Sequence, residues 1–271
     1  MGEARGYHVR ISPMKPIAII PTYNERENIK EIIPIIRQHV KNYDLHILVV
    51  DSASPDGTQE AVLEIQKSDP QVFLLSQKAK LGLGAAYEDG MRWALDHGYD
   101  RVITMDADFS HHPRYLNTLL KESLDKELVF GSRYVPGGEL KNWPRSRQLL
   151  SRFANWYASR ITGLPFSDLT SGFHCFHSNL LRKILQDPLR ADGYAFLIAL
   201  KFLAIANGAT CLEVPIIFSD RTKGEFKISK RVILESVFFV WKCFFQRRRL
   251  KNAQIKIAPF VSSEHMALRH D

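Results

Sequence analysis

Short apolar runs alternate with amphipathic stretches through the first half of the chain, and this alternation restricts the fold more than any other feature. Residues 17–20, 45–50, 72–75, 101–105 and 128–130 read as strands, while helical periodicity begins near Glu25, Thr58, Gly84 and Pro113. That order predicts an α/β protein with a mostly parallel central sheet and helices on both faces. Ligands of such sheets bind beyond the carboxyl ends of the strands, so the residues after each run carry the functional reading.

After residue 140 the rhythm changes: 144–162 and 194–207 read as helices and 212–218 as one further strand. No low-complexity tract, 20–50-residue repeat or Ser/Gly-rich linker divides the chain. The expected organisation is an N-terminal tail (1–16), one domain (17–231), a basic amphipathic helix (232–251) and a C-terminal tail (252–271). Within the helix, residues 232–245 are rich in aromatics but carry Glu235 and Lys242, and they fall short of the about 20 residues a bilayer span needs. Between Arg221 and Lys251, ten Lys/Arg stand against two Glu, a local +8 equal to the net charge of the whole chain. The basic excess is therefore one patch suited to phosphates. Two readings stay open for the helix: one lying in a membrane interface with its cations toward anionic headgroups, and one packed on the sheet with a solvated basic tail.

The first sixteen residues contain no apolar h-region, and Gly6 stands where a myristoylation motif needs Ser or Thr. Cys175, Cys211 and Cys243 are widely spaced and form no CxxC pair. A cytoplasmic protein with ordinary core cysteines is expected.

Asp106 and Asp108 follow the fourth run directly. Residues two apart on an extended strand share a face, so both carboxylates are expected to point the same way, where hard oxygens hold a divalent cation that also takes phosphate oxygens. Asp51 ends the second run and is placed to accept hydrogen bonds from a base or ribose, while Asp56 and Thr58 read as turn and helix-cap residues. Pro21, Tyr23, Asn24 and Glu25 follow the first strand, with Asn24 a candidate cap. The Lys80-Leu-Gly-Leu-Gly84 segment permits close backbone approach but lacks both GxGxxG and the Walker Lys-Ser/Thr, which excludes dinucleotide-oxidoreductase and P-loop readings. Arg133, Arg152, Arg221 and Lys227 are cations suited to phosphate, and His111 and His112 read as packing or capping residues.

Together PTYNERENI (21–29), SPDGT (54–58), KLGLGAAYEDGM (80–91), MDADFSHHP (105–113) and GSRY (131–134) resemble family 2 glycosyltransferases. SDLTSGFHCF (167–176) and DRTKGEFKIS (220–229) narrow the resemblance to dolichyl-phosphate mannosyltransferases and their bacterial polyprenyl-phosphate relatives. The resemblance implies a nucleotide-sugar-binding glycosyltransferase A-type fold. It also implies inverting transfer of mannose from GDP-mannose to dolichyl or polyprenyl phosphate, with Mg²⁺ or Mn²⁺, at the cytosolic surface of an anionic membrane. By matching position, Pro21, Tyr23, Glu25, Val50, Asp51 and Ala107 border the donor, with Arg133, Arg221 and Lys227 on its phosphates. Asp106, Asp108 and Ser110 hold the metal, and Arg133, Ser151 and Arg152 take the acceptor phosphate. Asp108, Arg133 and Arg221 are the expected catalytic residues. No nucleic acid is expected as a partner, and whether a membrane-anchoring partner subunit holds the chain in place stays open.

Four positions depart from the pattern: Ser52 replaces a usual Asp, Leu197 and Ala199 replace the Gln and Glu of Gln-x-Glu, and Phe226 replaces Ser. They leave two alternatives, a transferase with another donor such as UDP-glucose and a non-catalytic relative that binds nucleotide or membrane.

Overall fold

A computed structural model describes residues 14–189, 191–219 and 230–246, the side chains of the last segment from Ser236 to Phe245. The N-terminal half repeats strand and helix: β1 (Pro16–Thr22), α1 (Arg26–His39), β2 (His46–Asp51), α2 (Thr58–Ser68), β3 (Val72–Ser76), α3 (Leu83–Asp96) and β4 (Arg101–Thr104). A 3₁₀ turn leads into α4 (Leu116–Glu122) and β5 (Leu128–Ser132). There follow β6 (Glu139–Lys141), α5 (Arg145–Thr162), β7 (His174–His177), α6 (Ser178–Ile184), α7 (Gly193–Ala206), β8 (Cys211–Pro215), β9 (Ile217–Ser219) and α8 (Lys230–Gln246).

The main sheet has seven strands in the order β3-β2-β1-β4-β7-β5-β8. All neighbours are parallel except β7, which runs antiparallel to both β4 and β5. Period-two alternation divides the core between the two faces: Ile17 and Ile19 of β1 join the cluster under α3 and α7, while Ala18 and Ile20 join the one under α1 and α4. On α1, Ile29, Ile32, Ile33 and Ile36 recur at helical spacing and are buried, each contributing roughly 1.5–3 kcal/mol. Gly90 lets α3 settle on the sheet, since a Cβ there would lie 2.6 Å from Ile19 Cγ2.

The expected parallel half is present, but the strand expected over 212–218 is two. Pro215 has no N–H to continue a ladder, the Ile216 amide donates to Ser132 O, and β9 then pairs with β6 in a separate two-stranded sheet. Nor does Pro21 end β1: the strand runs on to Thr22, paired with Val50 and Asp51. Odd-numbered residues of β1 turn their polar groups toward β4, as in Met105 N–H to Ile19 O, and β4 has ended by Thr104, so the missing proline N–H costs no ladder bond.

Among the described residues α8 packs on helices and not on the sheet, which corrects the packed reading. Val240 and Cys243 are buried where the helix packs on α5 and α7, while Phe238, Trp241, Phe244 and Phe245 face outward. On α5, Leu149, Leu150, Phe153 and Trp156 are likewise exposed. Among the described residues no helix is long and apolar enough to cross a membrane.

Candidate active site

The loops at the carboxyl ends of β1, β2 and β3 are tied together by buried polar groups. Asp51 is fully buried, and its carboxylate accepts from Thr22 Oγ1 (3.0 Å), the Ser54 amide (2.9 Å), Ser54 Oγ and Gln59 Nε2 (2.7 Å). In this arrangement it orders the loop and offers no exposed face to a base. Asp56 accepts from the Thr58 amide and hydroxyl and also caps the neighbouring helix, taking the Arg26 amide at 3.1 Å. Burial raises the Asp56 carboxyl, but these hydrogen bonds outweigh it and the net shift is downward. Asn24 is therefore not the cap of α1: it sits at φ 60° and its amide donates to Ser54 Oγ.

Ser52 donates to Gln77 Oε1 at 2.7 Å, and Gln77 Nε2 donates to Asp89 at 2.6 Å, so a hydrogen-bonded relay links Ser52 to the Asp89 carboxylate. Tyr23 is exposed and Lys80 Nζ lies 3.6 Å from its ring centroid. Glu25 accepts from Asn28, and Pro21 lies near the end of β1. The Val50 and Ala107 side chains are buried in the core, so only their main chains border the loops. The glycines of the 80–84 segment meet protein: Gly84 N–H donates to Asp192 Oδ1 at 2.7 Å, and a Cβ on Gly82 would lie 2.4 Å from Asp192 Oδ2.

Asp106 and Asp108 lie beyond β4, where the chain bends through Phe109 at φ 63°, so strand alternation does not govern them. The Asp106 side chain is 29% exposed and accepts from Tyr87 Oη at 2.9 Å. Burial and the Asp106 charge push the Tyr87 phenol well up, which keeps it a donor. Asp108 is 4% exposed and accepts the Ser110 amide at 3.1 Å. His111 Nδ1 accepts the Asp106 amide, its ring stacks on Phe173, and burial lowers its pKa against the pull of both aspartates. His112 caps the 3₁₀ turn through the Arg114 amide. The two histidines thus have the packing and capping roles expected of them.

Two carboxylates and a hydroxyl are a hard-oxygen donor set suited to Mg²⁺ or Mn²⁺. Ser110 Oγ is buried with no hydrogen-bond partner among the described residues, an oxygen available for such an ion. Among the described residues no group of three His, Cys, Asp or Glu lies together, so a cation here would be held by the Asp106, Asp108 and Ser110 oxygens.

Arg133 is 5% exposed and forks onto Asp168, Nε to Oδ2 and Nη2 to Oδ1, both at 2.7 Å. Its Nη2 also donates to Thr170 Oγ1, and its amide to Asp168. Burial opposes both charges, but their mutual attraction prevails, raising the Arg133 pKa and lowering that of Asp168. Contact with the aspartate loop is indirect: Phe218 lies 5.2 Å from the Arg133 guanidinium and packs edge-on against His111.

Arg133 lines a pocket of about 330 Å³ whose wall includes Phe153, Ala154, Ile198 and Val240 from α5, α7 and α8. Ser151, Thr170 and Arg147 also line it, Ser151 accepting from Tyr134 Oη. Arg152, the next residue on α5, opens onto a different groove with Trp156 and Phe166, because successive helical side chains diverge by about 100°. Tyr134 stands between the two sites: the Arg133 and Arg152 guanidiniums each lie 5.3 Å from its ring, and its hydroxyl donates to Ser151. Arg221 and Lys227 lie outside the described residues. Tyr87, Arg147, Asp168 and Lys201 were missed by the sequence reading. The Ser-Asp-Leu-Thr run offered a signal for Asp168, whereas Lys201 had none, standing alone in an apolar helix.

Residues 17–186 match the profile of Glycosyl transferase family 2. Polyprenol monophosphomannose synthase of Mycolicibacterium smegmatis is 43% identical over 229 residues, 83% of this chain and 85% of its own length. Undecaprenyl-phosphate mannosyltransferase of Micrococcus luteus is 41% identical over 224 residues, 83% of this chain and 91% of its own. Among solved structures, glucosyl-3-phosphoglycerate synthase from Mycobacterium tuberculosis in complex with UDP aligns at a TM-score of 0.61 and 18% identity, over 85% of this chain and 80% of that one. The same enzyme with Mn²⁺, UDP-glucose and phosphoglyceric acid aligns at 0.58 and 19% identity, over 86% and 79%. These likenesses carry the fold, an α/β sheet of glycosyltransferase A type. Sequence order, sheet and relatives agree, and the chain belongs to glycosyl transferase family 2.

Proposed function

We propose that this glycosyltransferase transfers mannose from GDP-mannose to a polyprenyl or dolichyl phosphate at the cytoplasmic surface of a membrane, with Mg²⁺ or Mn²⁺ as cofactor and inversion at the sugar. The names of the two relatives support the sugar and the acceptor class. The observation that carries the reading is the pocket between α5, α7 and α8: its apolar wall and the Arg133 guanidinium match the two parts of an isoprenoid phosphate.

In this reading Asp106, Asp108 and Ser110 hold the cation, which when bound supplies charge that stabilises the departing diphosphate. Tyr23, Glu25, Pro21 and the main chains of Val50 and Ala107 border the donor, with Asp51 acting through the loop it orders. Arg221 and Lys227 are assigned to diphosphate oxygens by resemblance alone. Arg133 and Ser151 receive the acceptor phosphate. An acceptor oxygen, ionised near neutral pH, forms the new bond to the anomeric carbon as the bond to diphosphate breaks, and its electron pair leaves with GDP. No proton has to move, so no general base is needed. Arg133 offsets repulsion between the two anions, and Asp168 with Thr170 holds its fork in one orientation. The outward aromatics of α5 and α8, with Arg247, Arg248 and Arg249 following α8 in sequence, suit an anionic membrane surface.

Ser52, where the resemblance expects Asp, favours a second reading, a different donor such as UDP-glucose. Both are tested by incubating the protein and polyprenyl phosphate with labelled GDP-mannose or labelled UDP-glucose, with and without Mg²⁺ or Mn²⁺. Metal-dependent mannosyl lipid is expected. Glucosyl lipid alone supports the second reading, and no labelled lipid from either donor by folded protein that binds nucleotide supports a non-catalytic relative.

A further inference from the structure

Lys201 is fully buried on α7, whose other buried residues are all apolar. Leu197 and Ala199 provide no polar group, so the charge on this helix stands only at Lys201. Its Nζ has three acceptors: Leu169 O at 3.3 Å, Ser171 O at 2.9 Å and His174 Nε2 at 2.7 Å. These match the three protons of an ammonium. Thr104 Oγ1 donates to Gly172 O at 2.7 Å, so its oxygen accepts from His174 Nδ1 at 2.9 Å, and His174 Nε2 is left as the acceptor for the lysine. Burial lowers the Lys201 pKa to about 7, and with the lysine protonated this assignment of protons satisfies every member.

The network ends on both sides of the site. Leu169 and Ser171 flank Thr170, which with Asp168 holds the Arg133 guanidinium. Thr104 closes β4, two residues before Asp106. We propose that Lys201 is a positioning residue that, through the 169–172 main chain and the His174–Thr104 pair, holds Arg133 in register with Asp106 and Asp108. The inference rests on the proposed reaction, because it gives the acceptor-side cation and the donor-side carboxylates one common frame.

The test compares Lys201→Met, which keeps length in an apolar setting, with Lys201→Arg, which keeps the charge. Hydrogen exchange of the substrate-free proteins and kcat and KM per folded molecule are measured. In Lys201→Met, exchange across residues 168–173 is expected to rise at least about ten-fold while β1 and β2 stay protected. Its kcat is expected to fall about 10–100-fold with little change in donor KM, as for a misplaced catalytic group. Lys201→Arg is expected to recover part of both. Wild-type exchange in 168–173, or wild-type kcat, in folded Lys201→Met overturns the proposal. If that variant does not fold, Thr104→Val, which removes only the far hydroxyl of the network, is expected to lower kcat likewise, and an unchanged kcat overturns the inference. The exchange measurement needs no turnover, so a wild-type protein that makes no glycolipid defeats the proposed reaction while the structural link is still judged.

Discussion

The two halves of the sheet hold their buried carboxylates by different means. In the parallel half, Asp51 is surrounded by neutral donors from Thr22 at the end of β1, Ser54 in the following loop and Gln59 in the first turn of α2. In the mixed half, Asp168 faces the Arg133 guanidinium, and the buried Lys201 stands behind the same loop. Hydrogen bonds from neutral donors to a carboxylate give shape at modest cost, each contributing about 1.5–3 kcal/mol net. A buried ion pair adds little net stability, yet losing one partner leaves a charge that the interior cannot solvate. The first half thus resembles a moulded receptacle, and the second a charged device whose parts depend on each other.

That contrast can be broken at several points. The largest effect is expected outside the structural carboxylates: Asp108→Ala should abolish metal-dependent turnover, at least about a thousand-fold, while thermal melting shows the fold intact. Turnover at the wild-type rate would remove Asp108 from the metal site. Asp168→Asn leaves Arg133 buried without its counter-charge and is expected to cost about 3–5 kcal/mol in denaturant unfolding, with loss of activity.

Acid sharpens the same point. Because the folded-state pKa of Asp168 lies below its unfolded value near 3.8, its stabilisation is complete above that value and fades as pH falls through the folded pKa. Below about pH 4, therefore, wild type should converge on Asp168→Asn in stability, and a constant gap down to pH 2 would contradict this.

Asp51→Asn is expected to cost less, about 1–3 kcal/mol, because one amide N–H must face a donor. It should raise donor KM several-fold while leaving acceptor KM alone, so equal shifts in both would dissolve the distinction between the halves. The smallest effect on the fold is expected from Phe238→Ser combined with Phe245→Ser, since these rings are 72% and 74% exposed. Melting should be unchanged, and partition onto anionic vesicles should weaken about ten-fold. Undiminished partition would detach the outer face of α8 from any membrane role.

The regular half was legible because its signals are local. Short continuous apolar runs set β1 to β4 apart, helical spacing marks α1 to α3, and Ser54-Pro-Asp-Gly announces its turn. The aspartates of the fourth loop were found by position after a buried strand, although the strand stops short and a bend places them. The mixed half gave weaker signals: β7 is only His174–His177, with a polar residue at each end, and α6 is seven residues long. Arg133 was chosen from sequence as a phosphate ligand, but its carboxylate partner lies thirty-five residues away.

Sequence alone determined the layered α/β order, the acidic loop after β4, the basic aromatic helix and the resemblance that names the chemistry, since each is written in neighbouring residues and their spacing. Tertiary structure alone decided that Asp51 builds a loop from within, that the Tyr134 ring stands between Arg133 and Arg152, that α8 keeps one face packed and one face outward, and that Lys201 is joined to Thr104 through His174. The reason is physical: the cost of a buried polar group depends on where its partner sits, and partners for Arg133 and Lys201 are supplied by the antiparallel insertion of β7 and the loop before it, which no local pattern specifies.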